Sequence, residues 1–119
     1  MKIFNTLSGK KEVFEPIEDN KIRMYICGMT VYDDTHIGHA RTFLSFDLIV
    51  RYLRSIDYEV QYIRNITDVD DKIIARAEEL NISPSELTKD CINSMQNDFK
   101  ALGMISPDAE PRATENIYS

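Results

Sequence analysis

The sequence has 119 residues, of which 43% are hydrophobic and 29% charged, so it is typical of one globular domain rather than of a disordered chain. Its formal net charge of −6 argues against a free-standing module that binds nucleic acid through a broad basic face. The start lacks the apolar segment of a signal peptide, no apolar stretch is long enough to span a bilayer, and two cysteines cannot form a disulfide framework. We therefore expect a cytoplasmic protein with no disulfide and no membrane contact.

The first elements predicted along the chain are short strands. Residues 3–7 and 11–14 flank a turn-rich link and predict a small β-hairpin within about residues 1–15. A second β-rich run covers residues 22–27 and stops at Gly28.

Residues 39–56 show apolar spacings of three and four and predict a helix, and residues 58–66 alternate as a second strand. The stripe expected to be buried leaves Asp47 outside and consists of Ala40, Phe43, Leu44, Leu48, Tyr52, Leu53 and Ile56. Strand, helix and strand over about residues 22–66 form a βαβ unit, which favours a parallel sheet. The fold class is therefore α/β, an incomplete doubly wound fold whose two-stranded sheet has uncovered edges.

Further helices are predicted over about residues 70–103. Three acids precede or open the first of them, namely Asp68, Asp70 and Asp71. We interpret them as partners of the helix dipole rather than as a magnesium site.

The last long helix carries an N-terminal signal, because Ser83 is followed by Pro84 and by Glu86. Gly103 is its expected stop. Its expected buried face consists of Leu87, Cys91, Met95, Phe99 and Leu102. Residues 106–119 contain two prolines and little apolar pattern, so we expect them to lead into a further element.

The connection between the first core strand and its helix, residues 27–41, contains both histidines of the chain. A helix N-terminus favours phosphate, His36 and His39 share one face there, and Gly38 allows a base or phosphate to approach the backbone. Two imidazoles that donate hydrogen bonds to a phosphate stabilise charge rather than transfer a proton. Spacing alone leaves open a polar helix cap or half of a metal site, and it favours a structural role for Cys27.

Longer segments around these residues resemble a known family. The tetrapeptide HIGH at residues 36–39 is the signature of class I aminoacyl-tRNA synthetases, and its surroundings resemble the cysteinyl-tRNA synthetases. The segments that carry the resemblance are residues 24–33 (MYICGMTVYD), 36–43 (HIGHARTF), 64–74 (RNITDVDDKII) and 110–116 (EPRATEN). The resemblance implies that residues 1–119 are the N-terminal half of a catalytic domain with an incomplete Rossmann-like nucleotide-binding fold of the HUP type, without the anticodon-binding region.

The resemblance implies a ligase of protein biosynthesis that activates cysteine with ATP and magnesium and transfers it to tRNA(Cys). It implies that His36 and His39 are catalytic and that both bind ATP together with Gly38. The cysteine pocket that it implies consists of Cys27, Gly28, Thr30 and Thr67. It also implies that Cys27 is a zinc ligand, and a zinc–thiolate bond would distinguish cysteine from serine by ligand type.

The family's remaining zinc ligands and its lysine-rich phosphate loop have no match in this sequence. We therefore expect the isolated chain to be inactive and to hold zinc weakly. Three alternatives stay open: a cysteine ligase that acts on an amino-sugar in thiol biosynthesis, a small nucleotidyltransferase with the same histidine turn, and a truncated paralogue that serves as a non-catalytic binding module.

Overall fold

The computed structural model describes residues 1–117 of the chain, so residues 118 and 119 of the predicted domain lie outside the described part. The elements in chain order are β1 (Lys2–Asn5), β2 (Lys10–Val13), β3 (Lys21–Ile26), α1 (Ile37–Ser55), β4 (Glu59–Arg64), α2 (Asp71–Leu80), α3 (Pro84–Ala101) and α4 (Ala113–Asn116). Strands β3 and β4 pair in parallel, with Lys21 opposite Glu59 and Ile26 opposite Arg64. The predicted α/β class and its parallel sheet are confirmed.

The predicted hairpin is present as a separate two-stranded sheet of β1 and β2. Its first strand ends at Asn5, two residues earlier than expected, because the Asn5 side chain accepts a hydrogen bond from the Leu7 backbone N–H at 3.0 Å. Gly9 completes the turn with a φ of +68°, a conformation that glycine adopts without strain. Nearly all hairpin side chains are exposed, so the hairpin adds little to the core.

One face of the parallel sheet is buried beneath the helices. Ile22 and Ile26 of β3 and Val60 and Tyr62 of β4 lie on this face, as the period of two predicts. The opposite face is polar, and its Tyr25 side chain is 64% exposed. The sheet therefore presents one covered and one open face to its surroundings within the described residues.

Residues 108–113 run beside β4 as a third, irregular strand, which corrects the expectation that both sheet edges are uncovered. Arg64 donates its backbone N–H to the Ala109 carbonyl at 3.2 Å, and Ile66 donates to the Pro111 carbonyl at 2.9 Å. The Ala113 N–H in turn reaches the Ile66 carbonyl at 3.0 Å. Pro111 is compatible with this strand because its carbonyl, rather than the missing N–H, faces β4. Within residues 1–117, the outer edge of β3 has no strand beside it.

Helix α1 buries only part of the expected stripe, since Ala40, Phe43 and Leu53 are buried as predicted and the other four residues are not. Leu44, Leu48, Tyr52 and Ile56 are between 39% and 68% exposed, whereas Asp47 is only 8% exposed. The buried residues of α1 are Ala40, Phe43, Asp47, Val50 and Leu53. The apolar stripe of the sequence is wide enough for two orientations of the helix, so hydrogen bonding to Asp47 selects one of them.

Both oxygens of the buried Asp47 carboxylate accept hydrogen bonds within the protein. It accepts the Arg51 Nε–H and the Ile105 backbone N–H, both at 2.7 Å. A buried carboxylate is tolerated when its oxygens are paired in this way. Asp47 thereby fastens the segment after α3 to the middle of α1.

Arg64 is a second charged residue in the core, at a position where the strand alternation predicts an apolar side chain. It is 5% exposed, and its guanidinium lies 5.1 Å from the Phe43 ring centroid and 4.8 Å from that of Phe99. Its Nε donates to Glu110 at 2.9 Å, and Gln96 donates to the other Glu110 oxygen at 3.1 Å. The arginine thus joins α1, β4, α3 and the third strand.

The helix starts after β4 follow the local signals in part. Asp70 is the N-cap of α2 and accepts the Lys72 backbone N–H at 2.9 Å, as a capping role predicts. Asp68 was expected to serve the same helix, but it binds the backbone N–H and hydroxyl of Thr114 at the start of α4. This correction follows from the third strand, which brings α4 beside residue 68.

Helix α3 begins and ends where predicted. Ser83 accepts the Glu86 N–H at 3.2 Å, and Gly103 ends the helix with a φ of +69°. The predicted core residues Leu87, Cys91, Met95 and Phe99 are buried. Leu102 is 48% exposed, so its predicted burial is wrong, because the chain turns away directly after the helix.

Candidate active site

Two connections meet at the carboxyl ends of β3 and β4, where parallel α/β sheets bind ligands. The Val31 N–H donates to the Thr67 carbonyl at 3.1 Å, and the Thr67 N–H donates to the Met29 carbonyl at 3.2 Å. Thr30 and Thr67 are consequently paired across the two connections. Two of the residues expected in the cysteine pocket thus lie side by side, although 36 residues separate them in the chain.

Gly28 is locked against the second connection. Its N–H donates to the Asn65 side-chain oxygen at 2.7 Å, and a Cβ at position 28 would lie 1.7 Å from the Asn65 backbone oxygen. No larger residue can therefore occupy position 28 with this backbone. Asn65 was not predicted as a site residue. The sequence could have indicated it, because Asn65 directly follows β4 and the end of β4 lies beside the end of β3 in a parallel sheet.

The two histidines form a reciprocal cap at the start of α1. His36 is the N-cap, and its Nδ1 accepts the Gly38 N–H at 3.0 Å, while the Nδ1 of His39 accepts the His36 N–H at 3.4 Å. Their rings stack with centroids 3.8 Å apart and planes inclined by 22°. The helix begins at Ile37, two residues before the predicted start, because His36 supplies this cap.

This arrangement determines which nitrogen of each neutral imidazole carries the proton. Because both Nδ1 atoms accept hydrogen bonds, the proton of each neutral imidazole is on Nε2, which leaves two N–H donors for a ligand. Partial burial, and secondarily the neighbouring His36, lower the pKa of His39 below its ordinary value near 6.5. His39 is therefore neutral at pH 7 and serves as a hydrogen-bond donor without a full charge.

Gly38 is needed for the histidine cap itself. A Cβ at this position would lie 2.8 Å from Cε1 and 2.9 Å from Nδ1 of the His36 ring. A side chain there would displace the imidazole from the Gly38 N–H. This geometry gives Gly38 a role within the chain, independent of any contact with adenosine.

A cleft of about 320 Å³ lies beside the histidine turn. Its lining includes the exposed Cys27, His39, Gly28 and Thr30. The remaining lining residues are Met29, Tyr32, Thr42, Phe43 and Lys72. His36, Gly38 and Thr67 are outside this lining, so the structure brings four of the seven expected site residues into the cleft and places three at its border.

The described residues do not form a metal site by themselves. Within residues 1–117, no group of three or more histidine, cysteine, aspartate or glutamate side chains could hold a metal ion. Cys27 can therefore supply a single zinc ligand. Both cysteines are free thiols, and Cys91 is buried in the core as predicted, where burial first and nearby acids such as Asp34 second raise its thiol pKa.

Side chains of α3 hold the loop that precedes His36. The Thr35 hydroxyl donates to the Asp98 carboxylate, and the Ser94 hydroxyl donates to Asp34 at 3.2 Å. These bonds connect residues 60 and 63 positions apart, which sequence reasoning could not anticipate. They fix the approach of the backbone to the histidine cap.

Among the described residues, no helix has the length and hydropathy needed to cross a membrane.

Comparison with known proteins shows which family the chain resembles. A family model described as the catalytic domain of class I (C) tRNA synthetases matches residues 13–119. Similar curated proteins include cysteine–tRNA ligases from Pasteurella multocida, 56% identical over 117 residues, Mannheimia succiniciproducens, 57% identical over 117 residues, and a Marinomonas species, 59% identical over 115 residues. These alignments cover 97% to 98% of this chain and 25% to 26% of the relatives. The chain thus spans about a quarter of the length of the curated relatives it matches.

Proposed function

The chain belongs to the family of class I (C) tRNA synthetase catalytic domains, and on that premise we propose that it provides the ATP- and cysteine-binding part of a cysteine–tRNA ligase. The observation that carries this proposal is the cleft at the carboxyl ends of two parallel strands, which is lined by the exposed Cys27 and by His39, one of the two histidines that cap α1. The names of the similar proteins, all cysteine–tRNA ligases, support the same activity.

The proposed reaction has two steps. A carboxylate oxygen of cysteine attacks the α-phosphorus of ATP, and the bond to diphosphate breaks, which gives cysteinyl adenylate. A ribose hydroxyl of tRNA(Cys) then attacks the activated carbonyl, and AMP leaves with the bonding electron pair. Magnesium accompanies ATP as its counterion in the first step.

We assign His36 and His39 to the first step. Their Nε2–H groups would donate hydrogen bonds to phosphate oxygens, whose charge rearranges as the diphosphate leaves. Because the two rings are held by backbone hydrogen bonds and by each other, little reorganisation is needed when the phosphate binds. Gly38 would contribute by keeping the His36 ring in this position and by leaving the backbone accessible to adenosine.

We assign the other border of the cleft to cysteine. Gly28, Thr30 and Thr67 would form the walls of the amino-acid pocket, and the Cys27 thiolate would be one ligand of a zinc ion. Such an ion would favour a thiolate over a hydroxyl because sulfur is the softer ligand. Within residues 1–117, no group of three possible ligands is present that could complete such a site.

Binding of ATP tests the nucleotide half of this proposal. Magnesium–ATP titrated into the folded chain and followed by amide NMR should shift the resonances of residues 36–39. His36→Asn retains an N-cap side chain but lacks the Nε2–H donor, so it should weaken binding by about tenfold at little cost to stability.

Glu59→Gln is the matched control, because Glu59 is exposed at the amino end of β4, away from the histidine turn. It should leave the affinity for ATP unchanged. Equal affinity in the wild type and in His36→Asn would contradict the role of the histidine, and the lack of any response in the wild type would contradict the nucleotide site.

A further inference from the structure

Lys72 is the one lysine or arginine among the described residues that line the cleft. It comes from the second position of α2, whereas most of the lining belongs to the loop before α1 and to α1 itself. The sequence alone indicated no function for Lys72. Its presence in the cleft results from the pairing of residues 30 and 67, which brings the start of α2 beside the histidine turn.

The Lys72 ammonium faces an aromatic ring rather than an acid. Its Nζ lies 5.6 Å from the centroid of the Tyr32 ring, and Tyr32 is itself partly buried against the core. No carboxylate of residues 1–117 lies within 4.0 Å of this ammonium, although the chain has a net charge of −6. The neighbouring Asp70 is engaged with the Lys72 backbone N–H as the helix cap.

The dipole of α2 opposes a cation at this position, while the adjacent Asp70 and Asp71 offset part of that cost. The N-terminal end of a helix carries positive partial charge, so an ammonium in the first turn is opposed by the helix dipole. A cation–π contact offsets part of that cost, but it does not neutralise the charge. An anion in the cleft would be attracted by the ammonium.

The proposed chemistry brings two anions into this cleft. The carboxylate of cysteine must approach the α-phosphate of ATP, and the two groups repel each other. His39 donates a hydrogen bond as a neutral ring at pH 7, so it supplies no full positive charge. Lys72 is the lining residue that can supply one.

We propose that Lys72 is an anion-binding residue of the cleft, which contacts the oxyanion of the amino-acid carboxylate or of the nucleotide phosphate during activation. This inference rests on the proposed function and adds to it a residue on α2. Lys72 reduces the repulsion between the two reacting anions and orients the oxygen that it binds. Tyr32 keeps the flexible lysine side chain over the cleft.

The test uses AMP and cysteine as separate probes, titrated into the folded chain and followed by amide NMR. Lys72→Gln removes the charge and retains length, while Lys72→Arg retains the charge. Lys89→Gln is the matched control, because Lys89 is an exposed lysine of α3 outside the cleft lining. We expect Lys72→Gln to weaken binding of one probe by about three- to tenfold, and the affected probe identifies the anion. Lys72→Arg and Lys89→Gln should stay within about twofold of the wild type.

A second readout separates anion binding from a structural effect. Affinity of the wild type should fall as salt is raised from low to physiological concentration, and Lys72→Gln should lose much of that dependence. Equal affinities and equal salt dependence in the wild type and in Lys72→Gln, with AMP still bound, would overturn the role of Lys72 and leave the nucleotide site intact. A wild type that responds to neither probe would overturn both proposals.

Discussion

At the residue scale, the site depends on two glycines whose backbone lies very close to another group. Gly28 lies against the Asn65 carbonyl, and Gly38 lies beneath the His36 imidazole. Both glycines have ordinary negative or extended φ, so space rather than backbone conformation selects glycine there. Adding even a methyl group at either position should therefore displace the groups that form the candidate site.

Gly28→Ala should therefore be strongly destabilising. The new Cβ would overlap the Asn65 backbone oxygen, which cannot move without separating the two connections, so we expect a loss of about 2–4 kcal/mol in the free energy of unfolding. Urea unfolding measures this loss. Gly9→Ala is the control, because no atom lies within 4 Å of its Cβ and only the positive φ should cost about 1 kcal/mol. Equal losses in the two variants would contradict the packing argument.

The stacked imidazoles predict a particular titration. Burial lowers the pKa of His39 and the neighbouring His36 lowers it further, so the folded state binds a proton less readily than the unfolded state. Stability from this source is therefore present above pH 6.5 and is lost as the pH falls through the depressed pKa. His36→Asn should raise the pKa of His39 part of the way toward its ordinary value, because the effect of burial remains. NMR titration of the imidazole protons measures this shift, and an unchanged pKa would show that the rings do not interact.

At the element scale, local sequence signals determine some features of the helices and strands, and tertiary contacts determine others. The start of α3 was predictable because Ser83, Pro84 and Glu86 act within one turn of helix. The buried face of α1 was predictable only in part, because the burial of Asp47 depends on donors from residues 51 and 105. The third strand was missed for a related reason, since residues 108–113 have no strand-like pattern and are held by β4.

Two arginine–carboxylate pairs join the third strand to the core and allow a matched comparison. Arg64 pairs with Glu110 at side-chain exposures of 6% and 17%, whereas Arg54 pairs with Asp108 at 38% and 46%. Arg64→Met should cost about 2–4 kcal/mol, because Glu110 would stay largely buried without its charge partner. Arg54→Met should cost about 1 kcal/mol or less because water solvates the exposed pair.

Thermal or urea unfolding of both variants measures the difference. A loss of similar size in the two would contradict the assignment of Arg64 as the tie between α1, β4, α3 and the third strand. Such a result would indicate that the contacts of its guanidinium with Phe43 and Phe99 add little.

At the scale of the whole molecule, the sequence indicates candidate site residues within one connection but not those that another connection brings beside them. His36, His39 and Cys27 could be proposed from the sequence because they stand in one connection with recognisable neighbours. Asn65 and Lys72 belong to another connection, and only the parallel pairing of β3 with β4 places them at the same cleft. Sequence distance hides such residues until the strand order is known.

The charge of the whole chain also bears on its proposed partner. A net charge of −6 gives little nonspecific attraction for a polyanion such as tRNA. We therefore expect the described part to contribute the chemistry of activation rather than most of the affinity for the tRNA backbone. A cytoplasmic location stays a prediction from the sequence.

The most direct test of the central claim is cysteine-dependent exchange of diphosphate into ATP by a chimera, in which this chain replaces the matched residues of the Pasteurella multocida relative. We expect exchange with cysteine and none with serine. We also expect a loss of about 10²- to 10³-fold when His39→Ala removes one phosphate donor. A folded chimera that binds ATP but supports no exchange, or one in which His39→Ala exchanges at the wild-type rate, would contradict the central claim.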